Sequence, residues 1–518
     1  MQEIVEAFIA PLTENAQAHP HALPVAWSEV ASLSPTDFAL LIDALAAHAE
    51  TLDEVLHPPQ WQLLFAEALQ WCERHGEVAK QAGIPQKIAD FYRAAAGRSL
   101  PRYQALTCLA ALAQPEALQQ FVTLMQSDPP TELPAVTTPF LPLMRPVISA
   151  AREVLFPALF ECLANPLLAP AVMDLANYCA REQPEFAHPA DDRVKKIIQL
   201  LGGVTRHLED LQQRSGSFEE LNQVSAESVS NAIALAISLC DALALIGDRA
   251  AIAALTHAMA LKHRRVQLEA ASALARLEVE EGRQTMLELV AEPSVRLRAI
   301  QYAEELGLED QVNDQYTTGA ALGEAELVSF LADARQYGVP PSSCELVEAT
   351  TLYWPGYEEP RECYLFRFTY RAIGEDGALV SLSNLGMTGP LTHAFQADIS
   401  EFSAPDAWAM FAGWQAEHAE ISQWPVQGDF ELDEVEQQLR QALQEGPYAE
   451  VAVLLAGRFF EDRVIVAAAT KQADPGLALS AADGVTWFPQ TSETRPLQPE
   501  DVFSIYKGRK LLASFNDT

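Results

Sequence analysis

Apolar residues recur at helical spacing through the first part of the chain. After Ser34-Pro-Thr-Asp37, a sequence typical of the first turn of a helix, Phe38, Leu41 and Leu45 follow three or four residues apart. The same spacing predicts further helices over residues 102–113, 115–125, 156–163, 171–180 and 191–214. Gly202-Gly203 lies inside the last of these and is expected to disturb it. The pattern therefore predicts a mostly α-helical N-terminal part.

Prolines interrupt this helical pattern. Six of them, at positions 129, 130, 134, 139, 142 and 146, lie in one stretch that a helix cannot cross. We therefore expect residues 126–149 to form a rigid loop or a linker. It separates an N-terminal helical region, 1–125, from a second set of helices over 150–318.

Residues 228–308 contain a helical-hairpin pattern that occurs about twice. Val266-Gln-Leu-Glu-Ala-Ala271 is echoed by Val295-Arg-Leu-Arg-Ala-Ile300, and Gly247 and Gly282 stand at matching places before the two units. Amphipathic helices repeating every ~30–45 residues indicate a helical solenoid. Such folds present long surfaces, which favours a binding function over catalysis.

The same stretch resembles a known repeat family. Ile246-Gly-Asp248 closes a helix, residues 251–261 form the next one, and Val266-x-Leu-x-Ala-Ala271 starts the second helix of the pair. These features resemble the short HEAT-like repeats of bacterial proteins of the phycobilisome-lyase type. The resemblance implies an α–α superhelix over residues 228–308 and, more loosely, over neighbouring helices. No lyase or chromophore-attachment residue carries over.

From Gly319 the pattern changes to short strands mixed with helices. Residues 363–370 and 378–385 predict two paired strands around a turn at Gly374-Glu-Asp-Gly377. Ser403-Ala-Pro-Asp406 predicts the start of an aromatic helix over 408–420. Further elements are predicted as a helix over 432–443, strands over 451–456, 463–469 and 485–488, a helical segment over 497–506 and a strand over 510–515. The fold class is therefore mostly α, a HEAT-like solenoid followed by a C-terminal α+β domain over 319–518 with a subdomain boundary near 425.

The composition of the chain restricts the classes of partner that we expect it to bind. The net charge is -37, from 34 basic and 71 acidic residues, and such a field repels nucleic acid and anionic membranes. The N-terminus is acidic and lacks a signal-peptide pattern, and the apolar run Ala232–Ile246 is shorter than the ~18–20 residues that span a bilayer. The seven cysteines form no C-x-x-C pair and are expected to be reduced and structural. We expect a cytoplasmic protein with no membrane contact.

Four arginines are candidates for binding an acidic peptide or a phosphate. Arg264 and Arg265 lie in the turn between two repeat helices, and Arg296 and Arg298 lie at related places one repeat later. Together they predict a basic ridge on the solenoid. The alternative is that these arginines pair with nearby carboxylates such as Glu269 and Glu278.

An aromatic segment is the second candidate. Trp354 and Tyr357 lie in Tyr353-Trp-Pro-Gly-Tyr-Glu-Glu-Pro360, where exposed aromatic side chains would anchor a partner. The alternative is a rigid turn whose aromatic side chains cap the edge of the sheet.

A third group has the residue types of an enzyme site. His393 and Asp398 would act as a general base and its orienting group, and His418 lies at the end of the aromatic helix. The alternative is a loop histidine beside a capping aspartate. Trp408 and Phe411 share one helix face predicted to be core, and Trp414 lies beside it as a candidate binding residue.

No cofactor or metal is expected. The sequence holds no P-loop, no G-x-G-x-x-G, no EF-hand loop and no H-E-x-x-H. It also holds no G-x-S-x-G nucleophile turn. We therefore expect a protein-binding or scaffold protein with a protein or peptide partner. The alternative is a hydrolase-like enzyme using His393, Asp398 and His418.

Overall fold

The chain forms two compact units, Met1–Met286 and Leu287–Thr518, in a computed structural model. The structure describes residues 25–50, 58–95, 99–131, 137–145, 152–215, 226–373, 379–426 and 432–516. The N-terminal part is helical, and the C-terminal region holds two antiparallel sheets with helices packed on them. The predicted turn at 374–377 and parts of the predicted linker lie outside the described residues.

The first unit is built from α-helices joined by short 3-10 segments. Its helices are α1 (Pro35–Ala47), α2 (Pro58–Ala79), α3 (Ile84–Ala94), α4 (Ser99–Leu112), α5 (Pro115–Ser127), α6 (Arg152–Leu155), α7 (Ala169–Glu182), α8 (Val194–Ser215), α9 (Ala226–Ile246), α10 (Ile252–Met259), α11 (Arg264–Arg276) and α12 (Glu280–Glu288), whose last residues enter the second unit. The 3-10 segments include Val25–Ser32, Thr138–Leu143, Ala158–Ala164 and Arg249–Ala251.

Helices α1 and α5 begin where the sequence predicts, whereas the helix predicted over 156–163 is the 3-10 segment Ala158–Ala164. The helices of this unit pack in two layers. Ser34 caps α1 by accepting a hydrogen bond from the Asp37 N–H. Gly202 and Gly203 do not interrupt α8, because a helical backbone accepts glycine at a modest cost. Helices next but one in the chain pack together: α1 on α3, α2 on α4, α7 on α9, α8 on α10 and α9 on α11. Such layering buries one face of each amphipathic helix.

Residues with a left-handed backbone follow three helices in this part of the chain. Gly247, Glu278 and Gly307 follow α9, α11 and the later helix Arg296–Glu305 with φ of 78°, 61° and 65°, at intervals of 31 and 29 residues. After the last two helices, the N–H groups of Val279 and Leu308 close the turn on carbonyls five residues earlier. The predicted match between Gly247 and Gly282 is therefore wrong. Gly282 lies inside α12, where an added Cβ would stand 2.3 Å from Leu274 Cβ.

Among the described residues, one helix has the length and composition of a membrane span. Within α9, the window Val229–Ile246 has a mean hydropathy of 2.0, and 44% of it is buried in the fold. The window is longer than the run expected from sequence because it reaches back to Val229. The core helix of a folded domain satisfies the same criterion, and α9 packs against α7, α8 and α11. The window is therefore weak support for a membrane segment.

The second unit contains two sheets with a pair of helices between them. After α13 (Arg296–Glu305) and α14 (Gly319–Ala332), the first sheet has the order β1 (Ser343–Leu352), β2 (Arg361–Ile373), β3 (Leu379–Thr388) and β4 (His393–Ala394). Next follow α15 (Ala404–Gln415), β5 (Ile421–Pro425), α16 (Glu434–Glu445), β6 (Ala449–Phe459), β7 (Asp462–Lys471), β8 (Asp474–Ala481), β9 (Gly484–Pro489) and α17 (Pro499–Asn516). Strands β5 to β9 form the second sheet in chain order, antiparallel throughout.

Two sequence expectations fail in this unit. Residues 510–515 are the end of α17, where Leu511 and Leu512 pack against the core. The aromatic helix ends at Gln415, five residues earlier than expected, because the chain then turns toward β5. Strands β1, β4, β5 and β8 were not predicted. The two central helices and the inner faces of both sheets enclose one hydrophobic core.

The second unit repeats one motif twice. Each half is a helix, a four-stranded antiparallel meander and a second helix, α14–β1–β4–α15 and α16–β6–β9–α17. Helices α15 and α17 cross at two glycines. An added Cβ on Gly413 would stand 1.8 Å from Ser504 O, and one on Gly508 would stand 1.6 Å from Ala409 O. The reciprocal contact relates the two halves by an approximate two-fold axis.

Candidate functional site

The four arginines do not form one exposed ridge. Arg296 is only 3% exposed, and its guanidinium donates to the carbonyls of Val290, Ala291 and Ala321 and to the Glu324 carboxylate, 2.7 Å away. A buried guanidinium is stable here because its donors are satisfied. Arg296 therefore links the start of α13 to α14, and its buried guanidinium is not accessible to a ligand.

The other three arginines are exposed, and Arg264 and Arg298 already have partners. Arg264 and Arg298 each donate to a glutamine three residues on, at 3.1 and 3.2 Å. Arg298 also lies over the Tyr302 ring, 4.7 Å from its centre. The left-handed residues after α11 and α13 are 29 residues apart, and that interval places Arg296 of α13 at the position of Gln267 of α11, so the basic residues of the two helices are not equivalent.

Trp354 and Tyr357 form a turn that closes the core. Trp354 is 1% exposed, and its indole N–H donates to Gln415 Oε1 while its ring meets Trp408 edge-on. The Tyr357 hydroxyl donates to the Pro390 carbonyl at 2.8 Å, and Arg361 lies over its ring. The expected exposed aromatic anchor is therefore wrong for Trp354, because the indole fills the space at the end of α15.

His393 and Trp414 are brought together on the first half of the second unit. The imidazole in β4 stacks on the indole at the end of α15, with ring centres 4.1 Å apart and planes 12° apart. Phe395 and Phe411 meet the imidazole edge-on, and Phe330 of α14 lies 6.0 Å away. We call these five residues the aromatic patch. Trp414 is 48% exposed and is the most exposed of the five, while Phe330 and His393 are half-buried.

Burial lowers the pKa of His393 to about 4. The imidazole is therefore neutral near pH 7, so the patch presents uncharged flat rings. Such a surface suits apolar and aromatic contacts. It carries no charge with which to hold a phosphate or a carboxylate.

Asp398 and His418 do not join His393. Asp398 accepts hydrogen bonds from the N–H and hydroxyl of Ser400, at 3.1 and 2.7 Å. His418 Nδ1 accepts from the Glu420 N–H, and its ring contacts Phe460. Within the described residues, the hydrogen bonds and ring contacts of His393, Asp398 and His418 do not link any two of them. Asp398 and His418 each cap a turn. The alternative interpretation expected the capping role of Asp398, but His393 lies in strand β4 and not in a loop.

Other reactive groups give no stronger site. In the described part of the chain, no three His, Cys, Asp or Glu side chains are grouped to hold a metal ion. A cavity of about 490 Å³ in the first unit is lined mostly by apolar groups, with Cys162 and Glu161 on its wall. Burial raises the pKa of Cys162 to about 11, so its thiol stays protonated at neutral pH. All seven cysteines are free, and five are buried.

Sequence reasoning found two residues of the aromatic patch but not the patch itself. His393 and Phe395 alternate on one strand, and Phe411 and Trp414 lie three apart on one helix. Each spacing is visible in the sequence, but the pairing of β4 with β3 that brings them together is not. No protein-family model, no curated protein and no solved structure matches this chain.

Proposed function

We propose that this protein binds a polypeptide partner and that the aromatic patch is a contact surface. The observation that carries the proposal is the half-exposed Trp414 stacked on a neutral His393. Tryptophan is the residue most enriched among interface hot spots, because it buries a large rigid area at low entropic cost. The ring stack holds the indole in one orientation before a partner arrives.

The helical part supplies the frame in this proposal. Two-layer packing and helix ends repeating at 31 and 29 residues support a HEAT-like solenoid. The net charge of -37 favours a protein partner over nucleic acid and favours a partner with basic residues around its contact. We place this function in the cytoplasm.

Affinity capture with matched variants tests the proposal. The tagged full chain, Trp414→Ala and Phe186→Ala would each be incubated with native lysate, and the bound proteins quantified by mass spectrometry. Phe186 is an exposed aromatic residue of the first unit and serves as the control. We expect a partner that Phe186→Ala retains and that Trp414→Ala loses by about tenfold or more, since truncating a hot spot costs ~2 kcal/mol. Equal recovery by Trp414→Ala and the wild type would overturn the proposal.

A further inference from the structure

The outer edge of β1 has no strand beside it in the described part of the chain. β1 pairs with β2 on one side only. Residues 345–349 and 351 are exposed, and the register shifts at Val347, where the strand bulges. Unpaired edge N–H and C=O groups are a template for another strand.

Strand β6 is the counterpart of β1 in the second half of the unit. Both strands open a four-stranded meander, and both bulge five residues before their last residue, at Val347 before Leu352 and at Leu454 before Phe459. Both bulged side chains are exposed, by 45% and 37%. The stretch after the bulge is therefore equivalent in the two strands.

In β6 that stretch is covered by β5. Ile421–Pro425 pairs with residues 455–459, and hydrogen bonds from Val426 N–H to Leu454 O and from Phe460 N–H to Glu420 O, of 2.9 and 3.0 Å, extend the pairing at both ends. Four of the five covered residues of β6 are buried, whereas none of the equivalent residues of β1 is. The edge of β6 that is equivalent to the open edge of β1 thus already binds a strand, β5, of the same chain.

At the equivalent end of β1 a side chain takes the place of a strand. Tyr353, the counterpart of Phe460, donates its N–H to Asn516 Oδ1 at 2.8 Å and accepts from Asn516 Nδ2 at 3.2 Å. The chain leaves α15 after Gln415 to form β5, but α17 stays helical for six residues past Lys510, the counterpart of Gln415. The Asn516 amide pairs with one residue, and no described strand covers the edge from Val347 to Leu352.

The direction of the open donors follows from Tyr353. N–H groups alternate between the two sides of a strand, so the N–H groups of Thr351 and Ala349 point the same way as that of Tyr353, away from β2. These are the groups that an added strand would meet.

We propose that residues 347–352 of β1 bind an extended segment of a partner protein as an added antiparallel strand. The pairing of β5 with β6 indicates the chemistry of that segment. It carries an apolar residue opposite Leu352, where β5 has Ile421, and an aromatic residue opposite Ala349, where Trp424 faces Ala456. It carries a basic residue opposite Glu348, which is exposed on this acidic chain.

The proposal goes beyond the proposed function and does not depend on it. The aromatic patch includes β4 at the far edge of the same sheet. Either surface can bind or fail to bind without the other.

A peptide copied from β5 tests the site. The probe is fluorescein-labelled Ala-Glu-Ile-Ser-Gln-Trp-Lys-Val, residues 419–426 with lysine in place of Pro425, and its anisotropy is measured against the full chain. We expect saturable binding that Thr351→Pro weakens by about tenfold or more, because proline removes one outward donor and blocks close approach. Thr351→Val keeps the N–H and should bind within about twofold of the wild type.

Three controls separate the possible outcomes. Circular dichroism should show Thr351→Pro folded, since proline is tolerated where an edge N–H faces solvent, and Ala349→Pro is the second variant if it is not. Trp414→Ala should bind the peptide as the wild type does, which keeps this test apart from that of the aromatic patch. No saturable binding up to about 0.5 mM protein, or equal binding by the proline variants, would overturn the proposal. A dimer in light scattering that Thr351→Pro dissolves would also overturn it, because the occupant would then be a second copy.

Discussion

Two glycines set the distance between the central helices of the second unit. Gly413 and Gly508 each lie against a backbone carbonyl of the other helix, and Ala409 and Ser504 complete a small-residue contact on both sides. Side chains larger than hydrogen have no room at either position, because a carbonyl oxygen in a helix cannot rotate away. The inner faces of both sheets pack on this helix pair.

We predict that Gly508→Ala destabilises the protein by about 3 kcal/mol or more, because the new methyl group overlaps Ala409 O and forces the helices apart. Gly202→Ala in α8 is the matched control. Its Cβ meets nothing within 4 Å, so it should stabilise by about 0.5–1 kcal/mol through helix propensity. Urea unfolding followed by circular dichroism measures both. Equal stability of Gly508→Ala and the wild type would contradict the close crossing.

At the scale of elements, α9, α11 and α13 are each followed by a residue with a left-handed backbone. Two of the three positions are glycine. The third is Glu278, whose backbone is strained at a φ of 61°. Its carboxylate is 4.0 Å from Arg249 and largely exposed, so the ion pair contributes little. The backbone turn, and not the Glu278 side chain, is therefore what the end of α11 requires.

Glu278→Gly is predicted to stabilise the protein by about 0.5–1 kcal/mol by relieving that strain. Gly307→Ala should destabilise it by about 1 kcal/mol, although an added Cβ finds open space. Thermal unfolding of the two variants beside Glu278→Ala, which removes the carboxylate and keeps the strain, distinguishes the causes. If Glu278→Ala and Glu278→Gly are equally stable, left-handed strain is not the reason.

Sequence patterns predicted helices better than strands in this protein. The caps at Ser34 and Ser403 and the partners β2 and β3 are local or strictly periodic, and the structure has them. Strand β1 was missed because its bulge at Val347 breaks the alternation that marks a strand. The duplication of the second unit has a counterpart in the sequence that the sequence pattern alone did not reveal. Asp406-Ala-Trp-Ala-Met-Phe-Ala-Gly413 matches Asp501-Val-Phe-Ser-Ile-Tyr-Lys-Gly508 in its first and last residues and in its aromatic positions. This match could be recognised as a duplication only from the reciprocal crossing of α15 and α17, which no local sequence pattern contains.

The candidate site was less predictable than the fold. The pattern gave the side chains of His393 and Trp414 but not their contact, since one lies on a two-residue strand and the other on a helix. For Arg296, burial reversed the expected role. A basic residue reads as exposed in a sequence, and only the tertiary fold supplies the carbonyls that allow it to be buried.

At the scale of the whole molecule, the net charge of -37 acts on stability as well as on partner choice. Like charges repel most strongly in the compact state, and dissolved salt screens them over about 10 Å at 0.1 M. Raising sodium chloride from about 0.02 to 0.5 M should therefore raise the melting temperature by several degrees. Sucrose at matched osmolality controls for solvent exclusion. A melting temperature that is unchanged or falls with salt would contradict net self-repulsion.

The free cysteines allow unfolding to be followed by chemical labelling of their thiols. Burial raises the pKa of Cys363 and Cys344 to about 12 and keeps the thiols of Cys72 and Cys240 protonated as well. Alkylating reagents attack the thiolate, so the native protein should react slowly and mark only those molecules that open. Five cysteines belong to the first unit and two to the second. Peptide mapping after a timed pulse of iodoacetamide therefore gives a separate opening rate for each unit from one sample, without any introduced probe.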